Sequence, residues 1–119
     1  MGIRKILFYG PHFPTFYGLH ADRTRQKIDH VLSLIAAVER VPAKFLKHVE
    51  GEKGLYEVRV RAGREAIRIF CFFDGDGSLI LLNAFKKGSA KTPAAEIVRA
   101  LKARNSYLEE KRKGRPCDE

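Results

Sequence analysis

Arginine and lysine are the residues of this sequence whose types and spacing can do chemistry. Tyr56, Val58 and Val60 alternate with Glu57, Arg59 and Arg61, and successive side chains of a strand point to opposite faces. Glu57, Arg59 and Arg61 therefore share one side. A second apolar run, 67–73, is interrupted only by Arg68, and pairing through the short loop 62–65 brings Arg68 across from Arg59 and Arg61. Guanidiniums gathered on one surface repel unless an anion joins them, and their planar fork matches phosphate oxygens at any cellular pH. Two readings follow: a phosphate-binding surface, or a solvated sheet face on which Glu57 neutralises one neighbour. Arg68 resists the second reading, because a lone arginine inside an apolar strand is either paired or functional.

Lys86, Lys87 and Lys91 form a second basic group, just past a strand and just before a helix start. Exposed N–H groups and the positive end of the helix dipole also favour anions there. The plainer reading is a soluble turn with mobile lysines.

Other chemistries are poorly provided for. His12, His20, His30 and His48 have no metal-ligand spacing. No Gly-rich phosphate loop, serine elbow or close cysteine–histidine pair is present. Cys71 lies in an apolar strand and Cys117 in a charged tail, which fits neither a disulfide nor a zinc site. Neither metal nor cofactor is expected. RNA suits such a protein, since its 2′-hydroxyl is a built-in nucleophile and the protein need only supply positioning and charge for the developing phosphorane.

The elements that must hold these residues can be read from periodicity. Residues 3–9 are rich in strand formers and stop at Gly10-Pro11, which predicts a first strand. The stretch 11–18, with two prolines, resists assignment. Ile28, Val31, Leu32, Ile35 and Val38 fall on one face of a helix ending before Pro42, and a short helix or turn is expected over 42–48. From 55 to 85 the pattern is a β-meander: two strands, the hairpin signal Asp74-Gly75-Asp76-Gly77, and a strand over 79–85 that is apolar on both faces. Thr92 and Pro93 read as the cap and first position of a last helix whose apolar stripe is Ala94, Ile97, Val98, Leu101 and Leu108.

The fold class is thus α+β, a central antiparallel β-meander with an N-terminal strand, N-terminal helical segments and a C-terminal helix. At 119 residues the chain is one domain long, 1–119, with a frayed tail over 111–119. Its apolar stretches are far shorter than the roughly 20 residues that cross a bilayer. The N-terminus has no secretion signal, so a cytoplasmic location is expected and no membrane partner. The 23 basic and 14 acidic residues give a net charge of +9, which favours polyanions or an acidic partner.

Residues 54–61, then Arg68-Ile69-Phe70, then 85–93 resemble the HigB-like, phage-related branch of the RelE/ParE toxin superfamily. The likeness extends through Lys44-Phe45-Leu46-Lys47 and Glu96-Ile97, covering roughly 28–108. Three ordered motifs at the right separations make it specific. The sequence departs from the pattern at Ile67, Gly88 and Ser89. The resemblance implies a RelE-like fold and the toxin of a type II toxin–antitoxin pair: a metal-independent endoribonuclease that cuts mRNA on the ribosome and is silenced by a HigA-like helix-turn-helix antitoxin. It implies catalytic roles for Arg61, Arg68, Lys87 and Lys91, and RNA contacts from Arg59, Phe85 and Lys86. Glu57 is then a charge partner or base, and Phe85 either stacks a base or closes the core. The alternatives are a non-nucleolytic, ParE-like toxin acting on a protein such as DNA gyrase, and an inactive module that only binds an antitoxin.

Overall fold

The computed structural model describes residues 2–88 and 93–114. Five strands, β1 (Ile6–Phe8), β2 (Leu46–His48), β3 (Tyr56–Ala62), β4 (Glu65–Phe73) and β5 (Leu79–Lys86), form one sheet in the order β1-β5-β4-β3-β2. The expected meander is its centre, with β3, β4 and β5 paired antiparallel, while β1 lies parallel to β5 and makes the sheet mixed. Helices α1 (His12–Gly18), α2 (Asp22–Ala37) and α3 (Ala94–Arg112) complete the α+β fold.

Turn chemistry fixes the register. Gly63, at φ +63, stands first in the two-residue turn between β3 and β4, where only glycine takes a positive φ without strain. That turn sets Ala62 opposite Glu65 and, three pairs along, Arg59 opposite Arg68. The second hairpin closes with Gly77 N–H donating to the Asp74 carbonyl at 2.9 Å.

Each face of the sheet is covered. Ile28, Val31 and Ile35 of α2 and Phe13 of α1 pack on Val58, Val60, Ile67, Ile69, Leu79 and Leu81. On the other face Ile97, Ala100, Leu101 and Tyr107 of α3 pack on Leu55, Phe70, Phe72, Ile80, Leu82 and Phe85. This double cover explains why 79–85 is apolar at nearly every position. One extra residue at Leu82–Asn83 bulges β5 opposite Phe70, and Asn83 turns to donate to the Glu96 carbonyl (3.1 Å) and carboxylate (2.9 Å) at the start of α3.

Three local expectations need correction, and one unassigned stretch takes form. Residues 42–48 form a turn leading into strand β2, because the short segment finds the edge of β3 to pair with. The stretch 11–18 contains helix α1, whose Pro14 is tolerated because first-turn N–H groups need no helical acceptor. Val98 and Leu108 are exposed, so the buried stripe of α3 runs through Ala100 and Tyr107 instead. Pro93 occupies the cap position, and α3 continues to Arg112, which draws Lys111 and Arg112 out of the expected tail. The cap Thr92, Cys117 and the rest of the tail beyond 114 lie outside the described residues.

Helices α2 and α3 are held at their ends by residues remote in sequence. Arg4 donates to the carbonyls of Ile35, Val38 and Glu39, the unpaired acceptors at the C-terminal end of α2. Near the C-terminal end of α3, Tyr107 Oη (2.5 Å) and Lys111 Nζ (2.6 Å) both donate to the Asp74 carboxylate in the β4–β5 turn.

Candidate nucleic-acid interface

The candidate site begins with two strands in register. Arg59 of β3 and Arg68 of β4 are cross-strand partners, and Glu57 stands two residues before Arg59 on the same face. Glu57 Oε2 lies 3.6 Å from Arg59 Nε and 3.9 Å from Arg68 Nε. One carboxylate thus serves two guanidiniums. The Glu57 and Arg68 side chains are only 10% and 8% exposed, while that of Arg59 is 32% exposed and Arg61 is exposed. Burial takes the Glu57–Arg68 half of the patch, and not its Arg61 end, out of a solvated face.

Arg68 is the most constrained member. Its Nη1 donates to the carbonyl of Ile67 at 3.1 Å, and its buried Nε has no hydrogen-bond partner among the described residues. Burial, with Arg59 and Arg61 nearby, pulls its pKa below the ordinary arginine value, while Glu57 acts in the opposite direction. A guanidinium remains charged under such a pull. It carries an unsatisfied donor in surroundings where charge is poorly screened, and an anion resolves both costs.

A cleft of about 560 Å³ opens beside this pair. Its walls come from Lys27, His30 and Val31 of α2, Lys44 and Phe45 of the turn before β2, Arg59, Val60 and Arg61 of β3, and Arg68 of β4. The cleft exists because β2 is short: it pairs with 56–58, and Arg59 N–H makes a last bond to the Phe45 carbonyl at 2.8 Å before β3 becomes an edge. None of Lys27, Lys44 and Arg61 is ion-paired among the described residues. The cleft therefore holds a surplus of positive charge, which focuses an attractive field for polyanions.

The remaining sequence-derived candidates divide by strand parity. Lys87 N–H donates to the Ala66 carbonyl at 2.7 Å, and Ala66 is the cross-strand partner of Arg61. A row Arg61, Ala66, Lys87 hence runs beside the row Arg59, Arg68, Phe85 on one face, with the small Ala66 between two cations. Lys86 pairs with Ile67, so it points to the opposite face, where it bridges Glu65 at 2.5 Å and holds that carboxyl below its usual range. Phe85 is 7% exposed and meets Phe70 edge-on at 5.1 Å between ring centroids. It closes the core under α3 and offers no face to a ligand. Lys91 lies outside the described residues.

Sequence reasoning missed Lys27, His30, Lys44 and Phe45 as walls of the cleft. The only local signal was the i, i+3 spacing of Lys27 and His30 along the flank of the apolar stripe of α2. Nothing in 44–45 announced the cleft, because the pairing of β2 is what brings that turn to Arg59.

Among the described residues, no helix is long and apolar enough to cross a membrane. No curated protein matches the chain. A family model described as "Phage derived protein Gp49-like (DUF891)" matches residues 20–105, a span that takes in α2, the whole meander and most of α3. The arginine-lined cleft falls entirely within that span, and the chain belongs to this Gp49-like family, one of the RelE/Gp49 toxin type.

Proposed function

We propose that the protein is the toxin of a type II toxin–antitoxin pair and that it acts as a ribosome-dependent mRNA endoribonuclease. The observation that supports this most is the opposition of Arg59 and Arg68, which share one carboxylate and both line a cationic cleft. In this reading Arg59 and Arg61 hold flanking phosphates. The RNA 2′-oxygen attacks the adjacent phosphorus and the P–O5′ bond breaks, leaving a 2′,3′-cyclic phosphate and a 5′-hydroxyl. Arg68 stabilises the phosphorane through its unsatisfied Nε–H and its charge, a contribution of about 3 to 4 kcal/mol for groups of this kind. Lys87, and Lys91 from the segment that follows, deliver a proton to the leaving 5′-oxygen.

The 2′-hydroxyl proton needs an acceptor, and arginine is a poor one. Glu57 is bracketed by two guanidiniums, which suits charge balance better than proton transfer. His30 stands on the cleft wall and takes the acceptor's place in this reading. The partner that silences such a cleft must cover its positive charge, and a HigA-like helix-turn-helix antitoxin with an acidic segment fits that need.

Induction in cells with pulse labelling tests the reading. Protein synthesis is expected to stop before any sign of DNA damage, and co-expression of the antitoxin to restore growth. DNA damage appearing first, with translation intact, would overturn the nuclease reading in favour of a gyrase-directed toxin.

A further inference from the structure

The cleft contains one phenyl ring, and it is not the one that sequence pattern singled out. Phe45 is half-buried: it packs against the edge of the α2-side core, lines the cleft, and carries the Lys44 ammonium over its ring at 5.4 Å from the centroid. Its carbonyl accepts the Arg59 N–H at 2.8 Å, which ties the ring to the strand that presents the guanidinium pair. An aromatic face beside a track of cations is the arrangement by which proteins hold unpaired nucleotides: charge follows the backbone and the ring takes a base.

We propose that Phe45 is the base-stacking platform of this cleft, taking an unpaired base, purines best, next to the phosphate held by Arg59. The inference rests on the ribonuclease reading for its ligand class but assigns a binding residue that the reading does not require. Lys44 does not block the ring. An exposed lysine over an aromatic face is a weak contact, weaker than a stacked base, and the displaced ammonium remains within the cleft to meet a phosphate. Duplex RNA cannot use the platform, because its bases are already stacked on one another.

The chain has no tryptophan, so Phe45→Trp introduces a single fluorescent reporter at the proposed contact. With purified protein and a short oligoadenylate, its emission is expected to be quenched on binding, and a strand of abasic sugar phosphates of equal length to leave it unchanged. Phe45→Leu keeps apolar bulk against the core and is expected to weaken oligoadenylate binding about five- to hundredfold, with abasic-strand binding and the thermal midpoint unchanged. If oligoadenylate binds the wild type but leaves the Phe45→Trp emission unaltered, or if Phe45→Leu binds both strands as the wild type does, the stacking assignment is wrong and the cationic cleft stands. An equal loss for both strands marks a structural role for Phe45 and also overturns it. If the wild type binds neither strand, the stacking assignment is wrong, and cleavage on ribosomes decides the ribonuclease reading separately.

Discussion

Arg59 and Arg68 face each other directly across the β3–β4 pair, with Glu57 the carboxylate they share. Directly opposed like charges destabilise a sheet, and a buried guanidinium also forfeits hydration. Folding gains nothing from the opposition itself, and in the proposed reading a polyanion uses it. The same physics makes each member's removal act on stability and on binding in different directions.

Arg68→Met keeps the length and apolar bulk of the side chain while deleting its charge. Because the repulsion with Arg59 and Arg61 disappears and Glu57 keeps Arg59, the variant is expected to be at least as stable as the wild type, with a gain of about 1 kcal/mol. A midpoint several degrees higher in a thermal melt checks this. Glu57→Gln should act oppositely, losing about 1 to 3 kcal/mol because two guanidiniums are left facing each other without a carboxylate. Equal destabilisation by both variants would show that Arg68 is a structural ion-pair partner.

Phe85 provides a second check. Its ring is edge-on to Phe70 beneath α3, so Phe85→Ala is expected to cost about 3 to 5 kcal/mol of stability, as large-to-small changes in a core do. Measured well below its melting point, the variant should still bind RNA nearly as the wild type does. Full stability with lost binding would instead place Phe85 at the ligand.

The α3 anchor makes a prediction about pH. Burial alone would raise the Asp74 pKa, but the donors from Lys111, Tyr107 and the Gly75 N–H outweigh it and hold the carboxyl below its usual range. A group whose folded pKa is depressed contributes stability above its unfolded pKa and loses it as pH falls through the folded value. The wild type should therefore lose stability below about pH 4, and Asp74→Asn should be less stable at pH 6 and show a smaller loss on acidification. Chemical denaturation at the two pH values measures both. An unchanged acid dependence in Asp74→Asn would remove this anchor from the account.

Much of this architecture was legible because its signals are local. The meander followed from alternation and two turn sequences, and α2 from the spacing of Ile28, Val31 and Ile35. Register then delivered the Arg59–Arg68 pair, since a two-residue turn at Gly63 leaves it no freedom. What was not legible depends on distant partners. Strand β2 is too short to show alternation and exists because β3 offers an edge. Helix α1 was obscured by Pro11 and Pro14, which left 11–18 unassigned. Phe85 and Lys86 are adjacent in sequence but face opposite ways, so their roles separate only once the pairing with Arg68 and Ile67 is known. Lys27, His30, Lys44 and Phe45 join the site through packing of α2 and β2 on β3.

Cleavage of mRNA on purified ribosomes, followed in a single turnover, bears most directly on the central claim. The wild type is expected to cut, and Arg68→Ala to cut at least about a hundredfold more slowly. Lys102→Ala, which removes one positive charge from the exposed side of α3, should cut at the wild-type rate. An Arg68→Ala protein that cleaves as fast as the wild type would contradict the assignment of the opposed guanidiniums to RNA scission.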